Sequence, residues 1–375
     1  MKSFVIFLLT VLTGSFTAQV KLIVTVLSTT PENTKIYMAS SLNSWDPADS
    51  GFELKKTTAG KYELHIPENS GKVEYKFTQG SWETAEGNES GKGIENRTFT
   101  FTGTRQIIEN TILSWPKPEP KKHTASKNVK ILSENFPVPQ LGTTRKIWIY
   151  LPEDYQSSQK KYPVIYMHDG QNLFDDLTSF SGEWKIDETM DHFFKEGKKQ
   201  AIIIGIDNGG SERLNEYSPW KNSKYGGGKG DLYADFLAQT LKPYIDKNYR
   251  TLSSAKNTGL VGSSMGGLIS FYTGMKYPEK FGKLGVFSPS FWFAREDLTH
   301  YISKHSKSLK KTKIYLVAGR KESEEMVTDI EKITPILISK GICRKNIVTK
   351  FDDYGTHSES YWAKEFPAAY LWLFN

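Results

Sequence analysis

Apolar and polar residues alternate along short runs in the first third of the chain. A period of two is present at 21–26 (KLIVTV), 61–66 (KYELHI) and 98–101 (TFTF), and Pro, Gly and Asn separate these runs. Such alternation is typical of half-buried strands, and the separating residues favour turns between antiparallel strands. The pattern predicts a small all-β sandwich of immunoglobulin-like type over residues 19–113.

A segment rich in Pro and Lys follows the alternating region. It contains WPKPEPKK at 115–122. Proline lacks the amide hydrogen that a β-ladder needs and holds the chain extended. We therefore expect residues 114–128 to form a linker between two domains.

Beyond residue 129 the pattern changes to continuous apolar runs with helical stretches between them. The apolar runs span 146–150, 164–167, 202–206, 258–261, 284–287, 314–317 and 347–351. Residues 232–247 have apolar positions at helical spacing. Strands that are apolar on both faces are typical of a mostly parallel sheet covered by helices. The pattern predicts an α/β domain over residues 129–375.

Residues 1–18 have the character of a secretory signal peptide. Lys2 precedes an apolar run at 4–12, and small residues follow around 14–18. No other segment has the roughly 20 apolar residues that cross a bilayer, so we expect no stable membrane insertion. The predicted location is secreted or periplasmic.

The composition of the chain argues against several classes of function and site. The chain has 375 residues, which favours two domains, and a formal charge of +7 from scattered lysines, which does not favour nucleic-acid binding. Cys343 is the single cysteine, so neither an intramolecular disulfide nor a multi-thiolate metal site is available. We expect no metal and no cofactor.

The sequence GSSMG at 262–266 matches G-x-S-x-G and lies between an apolar strand and a helical stretch. In this context the serine occupies a strained turn that exposes its hydroxyl at the carboxyl edge of a parallel sheet. The motif predicts Ser264 as a nucleophile; Ser263 is in the wrong register.

A serine nucleophile needs a base, and in this fold a histidine follows the last strand. His357 follows the run at 347–351 and precedes a final helix rich in aromatic residues. His168 is the one serious alternative among the seven histidines, but it follows an early strand. The predicted base is His357.

An acid is expected after the strand that lies between the nucleophile and the base in chain order. Glu322 is the first carboxylate after the run at 314–317. Its expected role is to orient the imidazole without taking the proton. Alternatives that remain open are Glu324, Glu325, Asp329, Asp352 and Asp353.

Two backbone amides must stabilise the oxyanion of an acyl-transfer intermediate. One comes from the residue after the nucleophile, here Met265, and the other from the loop after an early strand. That loop is HDGQN at 168–172, where Gly170 allows a tight turn. The predicted second donor is Gln171.

These motifs resemble the putative esterase family of α/β-hydrolases. The resemblance extends over residues 129–375 through YMHDGQN at 166–172, RLNEY at 213–217, GSSMGG at 262–267 and SPSFW at 288–292. It implies an α/β-hydrolase fold and a Ser264, His357 and Glu322 triad. Many relatives have Asp at the acid position, where this chain has Glu322.

The first domain is similar to carbohydrate modules of the starch- and glycogen-binding type. The similarity rests on LNSWDP at 42–47, VEYKF at 73–77, GSW at 80–82 and ENR at 95–97. It implies that Trp45 and Trp82 stack on sugar rings.

The combined expectation is a secreted serine esterase that forms an acyl-enzyme and acts on a carbohydrate-linked or plant-wall ester. Three alternatives use the same sequence features. They are a siderophore-type trilactone esterase, an acyltransferase with the same triad, and a glycan-binding protein without catalysis.

Overall fold

The structure is a computed structural model, and it describes residues 19–27, 30–43, 45–116, 121–180, 182–305 and 310–374. The predicted signal peptide, residues 1–18, lies outside the described residues. The chain divides into two units between Pro120 and Lys121. Each unit has its own hydrophobic core.

In the described part of the first unit, seven strands form two sheets. The strands are β1 (Gln19–Thr25), β2 (Tyr37–Ser40), β3 (Lys55–Lys56), β4 (Tyr62–Pro67), β5 (Lys72–Thr78), β6 (Arg97–Thr100) and β7 (Gln106–Thr111). One sheet has the order β3-β4-β1-β7 and the other has the order β2-β5-β6. β1 and β7 are parallel, and the other strand pairs are antiparallel.

The alternation seen in the sequence places one side of each strand in a shared core. Leu22 and Val24 of β1 are fully buried, whereas the intervening Ile23 is partly exposed. The same cluster contains Met38 of β2 and Phe77 of β5, so both sheets contribute to it. The unit is thus all-β with two sheets around one core, and its immunoglobulin-like type stays a prediction.

The second unit is built around a mixed sheet of eight strands with the order β17-β16-β15-β14-β10-β11-β9-β8. Its strands and a separate two-stranded hairpin are β8 (Val129–Val138), β9 (Thr143–Tyr150), β10 (Val164–His168), β11 (Ile202–Ile206), β12 (Lys221–Asn222), β13 (Gly226–Gly227), β14 (Thr258–Ser263), β15 (Lys283–Phe287), β16 (Lys313–Gly319) and β17 (Ile347–Asp352). β9 is antiparallel to β8 and β11, and the other pairs in the large sheet are parallel.

Helices separate most of these strands. They are α1 (Ile186–Lys195), α2 (Arg213–Glu216), α3 (Gly230–Asp235), α4 (Lys242–Asn248), α5 (Met265–Lys276), α6 (Arg295–His305), α7 (Glu324–Ser339) and α8 (Glu359–Phe374). A π-helical segment, Phe236–Leu241, joins α3 to α4, so the helix predicted over 232–247 is continuous but contains wider turns. Within the described residues, no helix has both the length and the apolar character to cross a membrane.

Helices cover both faces of the large sheet. Leu260 and Val261 are neighbours on β14, and both are buried. Leu260 belongs to a cluster with Phe271 of α5, and Val261 belongs to a second cluster with Tyr370 of α8. Burial on both faces explains why this strand is apolar at consecutive positions. The α/β prediction for this unit is confirmed.

The end of the predicted linker is bound to the second unit. Thr124 Oγ1 donates to Glu183 Oε2 at 3.0 Å, and the Ser126 amide donates to Asp187 Oδ2 at 2.6 Å. At the other end, Trp115 Nε1 donates to Thr30 Oγ1 of the first unit at 3.1 Å. The linker predicted over 114–128 is therefore too long, because its last residues donate hydrogen bonds to side chains of the second unit.

Candidate active site

Ser264 lies in a sharp turn between β14 and α5. Its φ of 56° is in the left-handed region, which is uncommon for a residue with a side chain. Its amide donates to Phe287 O, and its carbonyl accepts from the Ser290 amide, each at 3.0 Å. These bonds to the chain around the end of β15 hold the strained turn in place. Ser264 is thereby fixed at the carboxyl edge of the sheet.

The two glycines of the motif allow the turn to pack. A Cβ atom on Gly262 would lie 2.6 Å from Gly266 O, which no side chain tolerates without backbone movement. A Cβ atom on Gly266 would lie 3.2 Å from His168 Cβ. The spacing G-x-S-x-G is therefore a packing requirement of this turn.

His357 and Glu322 are in direct contact at the same edge of the sheet. The His357 Nδ1 and Glu322 Oε2 atoms are 2.7 Å apart. The Glu322 side chain is 1% exposed and the His357 side chain is 39% exposed, so the acid is enclosed and the imidazole is accessible. A buried carboxylate on Nδ1 favours the tautomer in which Nε2 is free to accept a proton.

Two further donors fix Glu322. Its Oε1 atom accepts from the Gly319 amide and from Ser288 Oγ, each at 2.7 Å. Ser288 Oγ in turn accepts from Trp362 Nε1 at 2.9 Å, and the Trp362 ring contacts the His357 ring edge-on at 5.0 Å. Ser288 and Trp362 were not predicted as site residues; SPSFW at 288–292 is the one sequence signal near either of them.

The Ser264 hydroxyl has a different neighbour. Its Oγ atom lies 3.2 Å from Ser290 Oγ. In the part of the chain that the structure describes, no hydrogen bond joins Ser264 to His357. Catalytic hydrogen bonds are often long in the absence of substrate. The structure thus joins Glu322 to His357, and places Ser264 after β14, Glu322 after β16 and His357 after β17.

The turn after β10 contains Gln171. Asp169 is left-handed with φ 55°, and a 3-10 turn (Gly170–Asn172) follows it. A Cβ atom on Gly170 would lie 2.7 Å from Ile206 N, so the turn packs directly against the end of β11. This is the loop position where the fold supplies one oxyanion donor, and Met265 is the first residue of α5.

A partly buried ion pair holds this turn. Arg213 Nε and Nη2 donate to the two carboxylate oxygens of Asp169 at 2.7 and 2.9 Å, and Asn208 Nδ2 donates to Oδ1 at 2.7 Å. Burial acts to raise the pKa of Asp169, but the charge and hydrogen bonds of Arg213 outweigh it and lower that pKa. Sequence reasoning did not assign a role to either member of this pair.

His168, the alternative base, is enclosed behind the turn. It is 2% exposed, and its Nδ1 atom lies 3.1 Å from the Tyr233 hydroxyl. Burial lowers the pKa of His168 to about 4, so the ring is neutral at neutral pH. His168 lies against Gly262 and Gly266 and so supports the turn that contains Ser264.

Four of the five alternative acids are paired elsewhere or exposed, and the side chain of Glu324 lies outside the described part of the chain. Asp329 pairs with Arg295 at 2.6 Å, Asp352 with Lys364 at 2.8 Å, and Asp353 with Arg320 at 3.2 Å. Glu325 is exposed.

A family model matches this domain. The model of the esterase family, described as "Putative esterase", matches residues 139–373. The chain belongs to this family. It is accordingly a carboxylic ester hydrolase, in agreement with the resemblance seen in its motifs.

The esterase is also similar to parts of two larger enzymes. It is 27% identical over 206 residues to an endo-1,4-beta-xylanase/feruloyl esterase of Xylanibacter ruminicola, covering 54% of this chain and 26% of that enzyme. A 94-residue match to an alpha-amylase of Niallia circulans is 40% identical and covers 24% of this chain and 7% of that enzyme.

Among solved structures, the esterase is similar to the enterobactin esterase from Shigella flexneri, solved in the presence of enterobactin. The TM-score is 0.54 with 15% identity, and the similarity covers 92% of this chain and 89% of that chain. At this identity the similarity is one of fold.

An exposed aromatic residue follows Ser290 closely in the sequence. Trp292 is two residues after Ser290 and is 37% exposed, and its ring lies 5.7 Å from that of Tyr225. Asn222 Nδ2 donates to Phe293 O at 2.8 Å, which attaches the β12–β13 hairpin to this segment.

Trp45 and Trp82, the predicted sugar-binding residues, are neighbours in the first unit. Their ring centroids are 6.1 Å apart with 40° between the planes, and both side chains are partly exposed. Trp45 has a φ of 62°, so its backbone conformation is strained. The structure therefore brings together two aromatic surfaces that are 37 positions apart in the sequence.

Proposed function

We propose that this esterase cleaves its substrate through an acyl-enzyme on Ser264, with His357 as the base and Glu322 as the acid that orients it. The observation that carries the proposal is the 2.7 Å contact between His357 and a Glu322 carboxylate that is almost fully buried. That contact follows β16 and β17 at the carboxyl edge of the sheet, the edge at which the strained and partly exposed Ser264 follows β14.

In the first half of the reaction, Ser264 Oγ attacks the ester carbonyl carbon and its proton passes to His357 Nε2. The electron pair of the carbonyl moves to its oxygen, and the amides of Gln171 and Met265 stabilise the resulting charge. When the intermediate collapses, the imidazolium donates its proton to the departing alcohol. The acyl group is then bonded to Ser264.

In the second half, His357 takes a proton from water, which attacks the acyl carbon. The second tetrahedral intermediate collapses with release of the carboxylic acid, and His357 returns the proton to Ser264. Ser264 must turn from Ser290 toward His357 for the first step, which requires a rotation about one side-chain bond.

Replacement of Ser264 tests the proposal. Ser264→Ala should lower kcat toward a p-nitrophenyl ester by about a million-fold, the loss typical of a triad nucleophile. Ser263→Ala, one residue earlier, should retain activity within a few-fold. Labelling of the parent chain by a fluorophosphonate should depend on Ser264. Equal activity in Ser264→Ala would refute the nucleophile, and absence of labelling would favour the glycan-binding alternative.

The proposed substrate is an acyl ester carried on a carbohydrate or plant-wall polymer, encountered after secretion. This is supported by the similarity to a xylanase/feruloyl esterase and by the paired aromatic rings of Trp45 and Trp82. The 94-residue alpha-amylase match is about as long as the sandwich predicted over residues 19–113, which is consistent with a module shared by carbohydrate-active enzymes.

A siderophore ester is the second candidate, favoured by 28% identity over 216 residues to an iron(III) salmochelin esterase of Escherichia coli, which covers 54% of this chain and 48% of that enzyme. A panel of feruloylated sugar, acetylated xylan and a trilactone siderophore separates the candidates by kcat/KM. Competing acceptor alcohols in the same assay distinguish transfer from hydrolysis. A preference for the trilactone would overturn the carbohydrate proposal.

The role of the first unit needs a separate test. Trp45→Ala with Trp82→Ala should weaken retention on insoluble polysaccharide and leave activity on a soluble p-nitrophenyl ester unchanged. Trp115→Ala is a matched control, because that indole donates a hydrogen bond inside the unit. Equal retention of the double variant and the parent would contradict sugar binding at these rings.

A further inference from the structure

An acidic group separate from the triad lies at the start of α1. One carboxylate oxygen from each of Glu183, Asp187 and Glu188 lies within 4.8 Å of the other two. Asp187 is 0% exposed and Glu183 is 7% exposed, so water does little to screen their charges. Within the described ranges, none of the three forms an ion pair with Lys or Arg.

Only some of the oxygens of these three carboxylates accept a hydrogen bond. Thr124 Oγ1 and the Ser126 amide each donate to one oxygen, on Glu183 and Asp187 respectively. The second oxygens, Glu183 Oε1 and Asp187 Oδ1, are buried without a hydrogen-bond partner, and so is Glu188 Oε2. A buried acceptor without a partner is unfavourable, so these oxygens are suited to contact a positively charged group.

The amino end of α1 attracts negative charge, but only by a fraction of one unit charge, so it does not balance three carboxylates. A bound cation would offset the repulsion between them.

We propose that Glu183, Asp187 and Glu188 bind one calcium ion. Carboxylate oxygens are hard ligands, and calcium accepts irregular sets of them at about 2.3–2.6 Å. Oxygens on opposite sides of such an ion are about 5 Å apart, which matches the spacing of this group. Magnesium demands shorter distances and near-octahedral geometry, so calcium fits better.

The ion would have a structural role. The amides of Trp184 and Ile186 donate to the carbonyls of Asn172 and Leu173 at 2.9 and 3.1 Å. Those carbonyls directly follow Gln171. Calcium at the start of α1 would therefore stabilise the 183–188 segment, the turn after β10, and the chain at 124–126 that donates to the same carboxylates.

Thermal unfolding of the full chain tests the proposal without an activity readout. Millimolar calcium should raise Tm by about 5 °C relative to EDTA, as expected for a ligand far above its Kd. Titration calorimetry of EDTA-stripped protein with calcium should give one site. Glu183→Gln with Asp187→Asn should abolish both responses. In EDTA this variant should unfold no earlier than the parent, because the amides remove like-charge repulsion.

Glu331→Gln is the matched control, since Glu331 is exposed on α7. It should retain the full calcium response. Three results would overturn the proposal: no calcium effect on Tm and no binding heat, an equal calcium effect in the double variant, or an equal or larger effect of magnesium at the same concentration.

Discussion

Ser288 is a residue whose importance comes from its neighbours on other elements. Its φ of 40° is left-handed, and its hydroxyl accepts from Trp362 while it donates to Glu322. This strained conformation allows two hydrogen bonds in series, from Trp362 to Ser288 and from Ser288 to Glu322, which align the carboxylate before substrate binds. We therefore regard Ser288 as a positioning residue.

Ser288→Ala removes one hydrogen bond to a buried carboxylate. Such a bond contributes about 1.5–3 kcal/mol, so kcat toward a p-nitrophenyl ester should fall about tenfold to a hundredfold with little change in KM. The acid limb of the kcat/KM pH profile should also move, because the orientation of Glu322 affects His357. Ser303→Ala, on the exposed side of α6, is the control. An unchanged kcat and pH profile would exclude this positioning role.

His168 gives a prediction on pH and stability. Its folded pKa of about 4 is below the unfolded value of about 6.5, so the unfolded state binds more protons between these values. Stability from this group is present above the unfolded pKa and is lost as pH falls toward the folded one. Between pH 7 and pH 5 the loss should be about 2 kcal/mol.

Urea unfolding at both pH values measures this effect. His168→Gln should show a smaller loss between pH 7 and pH 5 than the parent, whatever its stability at pH 7. His192→Gln, at an exposed position on α1, should retain the parent's dependence. A variant His168→Gln with the same loss as the parent would show that another group is responsible.

At the residue scale, the sequence predicted Ser264, Glu322 and His357 as a triad because each follows a recognisable apolar strand. It missed Ser288, Trp362 and Arg213, whose roles depend on contacts across the fold. Arg213 is 44 positions from Asp169, and Trp362 is 74 from Ser288. A local sequence pattern cannot indicate contacts between residues that are so far apart in the chain.

At the scale of elements, burial decides what a sequence pattern can predict. β10, β11 and β14 are buried along their whole length, and their apolar runs predicted them with errors of two residues or fewer. β8 was missed, because it is an edge strand in which only two of ten residues are buried, and it has register shifts and contains Pro137. The π-helical segment was also missed, since its apolar spacing resembles that of an ordinary helix.

The junction of β14 and α5 gives a prediction at this scale. Gly262→Ala places a Cβ atom against the backbone of Gly266, so the strand and helix must separate and Ser264 must move. We expect kcat to fall at least about a hundredfold, because small displacements of a nucleophile have large effects. Gly93→Ala is the matched control, since its added Cβ would meet nothing within 4 Å. Equal kcat for both variants would contradict this account.

At the scale of the whole molecule, the chain divides into two units after Pro120, beside the prolines at 116 and 118. The chemistry of the following residues did not reveal their attachment to the second unit. His123 Nδ1 lies 2.8 Å from Asp175 Oδ2, and the Thr124 amide donates to Oδ1 of the same residue. These contacts belong to the second unit. The sequence could not indicate them, because Lys, His, Thr and Ser are equally common in free linkers.

Two truncated chains test where the second unit begins. A chain that starts at Lys121 should retain the donors to Asp175, Glu183 and Asp187, and one that starts at Val129 should lose them. The shorter chain should be less stable in urea by about 3 kcal/mol or more, since several hydrogen bonds to charged groups are removed. Each chain serves as the other's control. Equal midpoints would show that residues 121–128 contribute nothing to folding.

The edge-on contact between Trp362 and His357 also has an optical consequence. An imidazolium quenches the emission of a nearby indole more strongly than a neutral imidazole does, and the Trp362 ring lies 5.0 Å from the His357 ring. Emission from Trp362 should therefore respond to a change in the charge or position of the His357 ring. The enzyme thus carries an intrinsic reporter on His357 that needs neither substrate nor label.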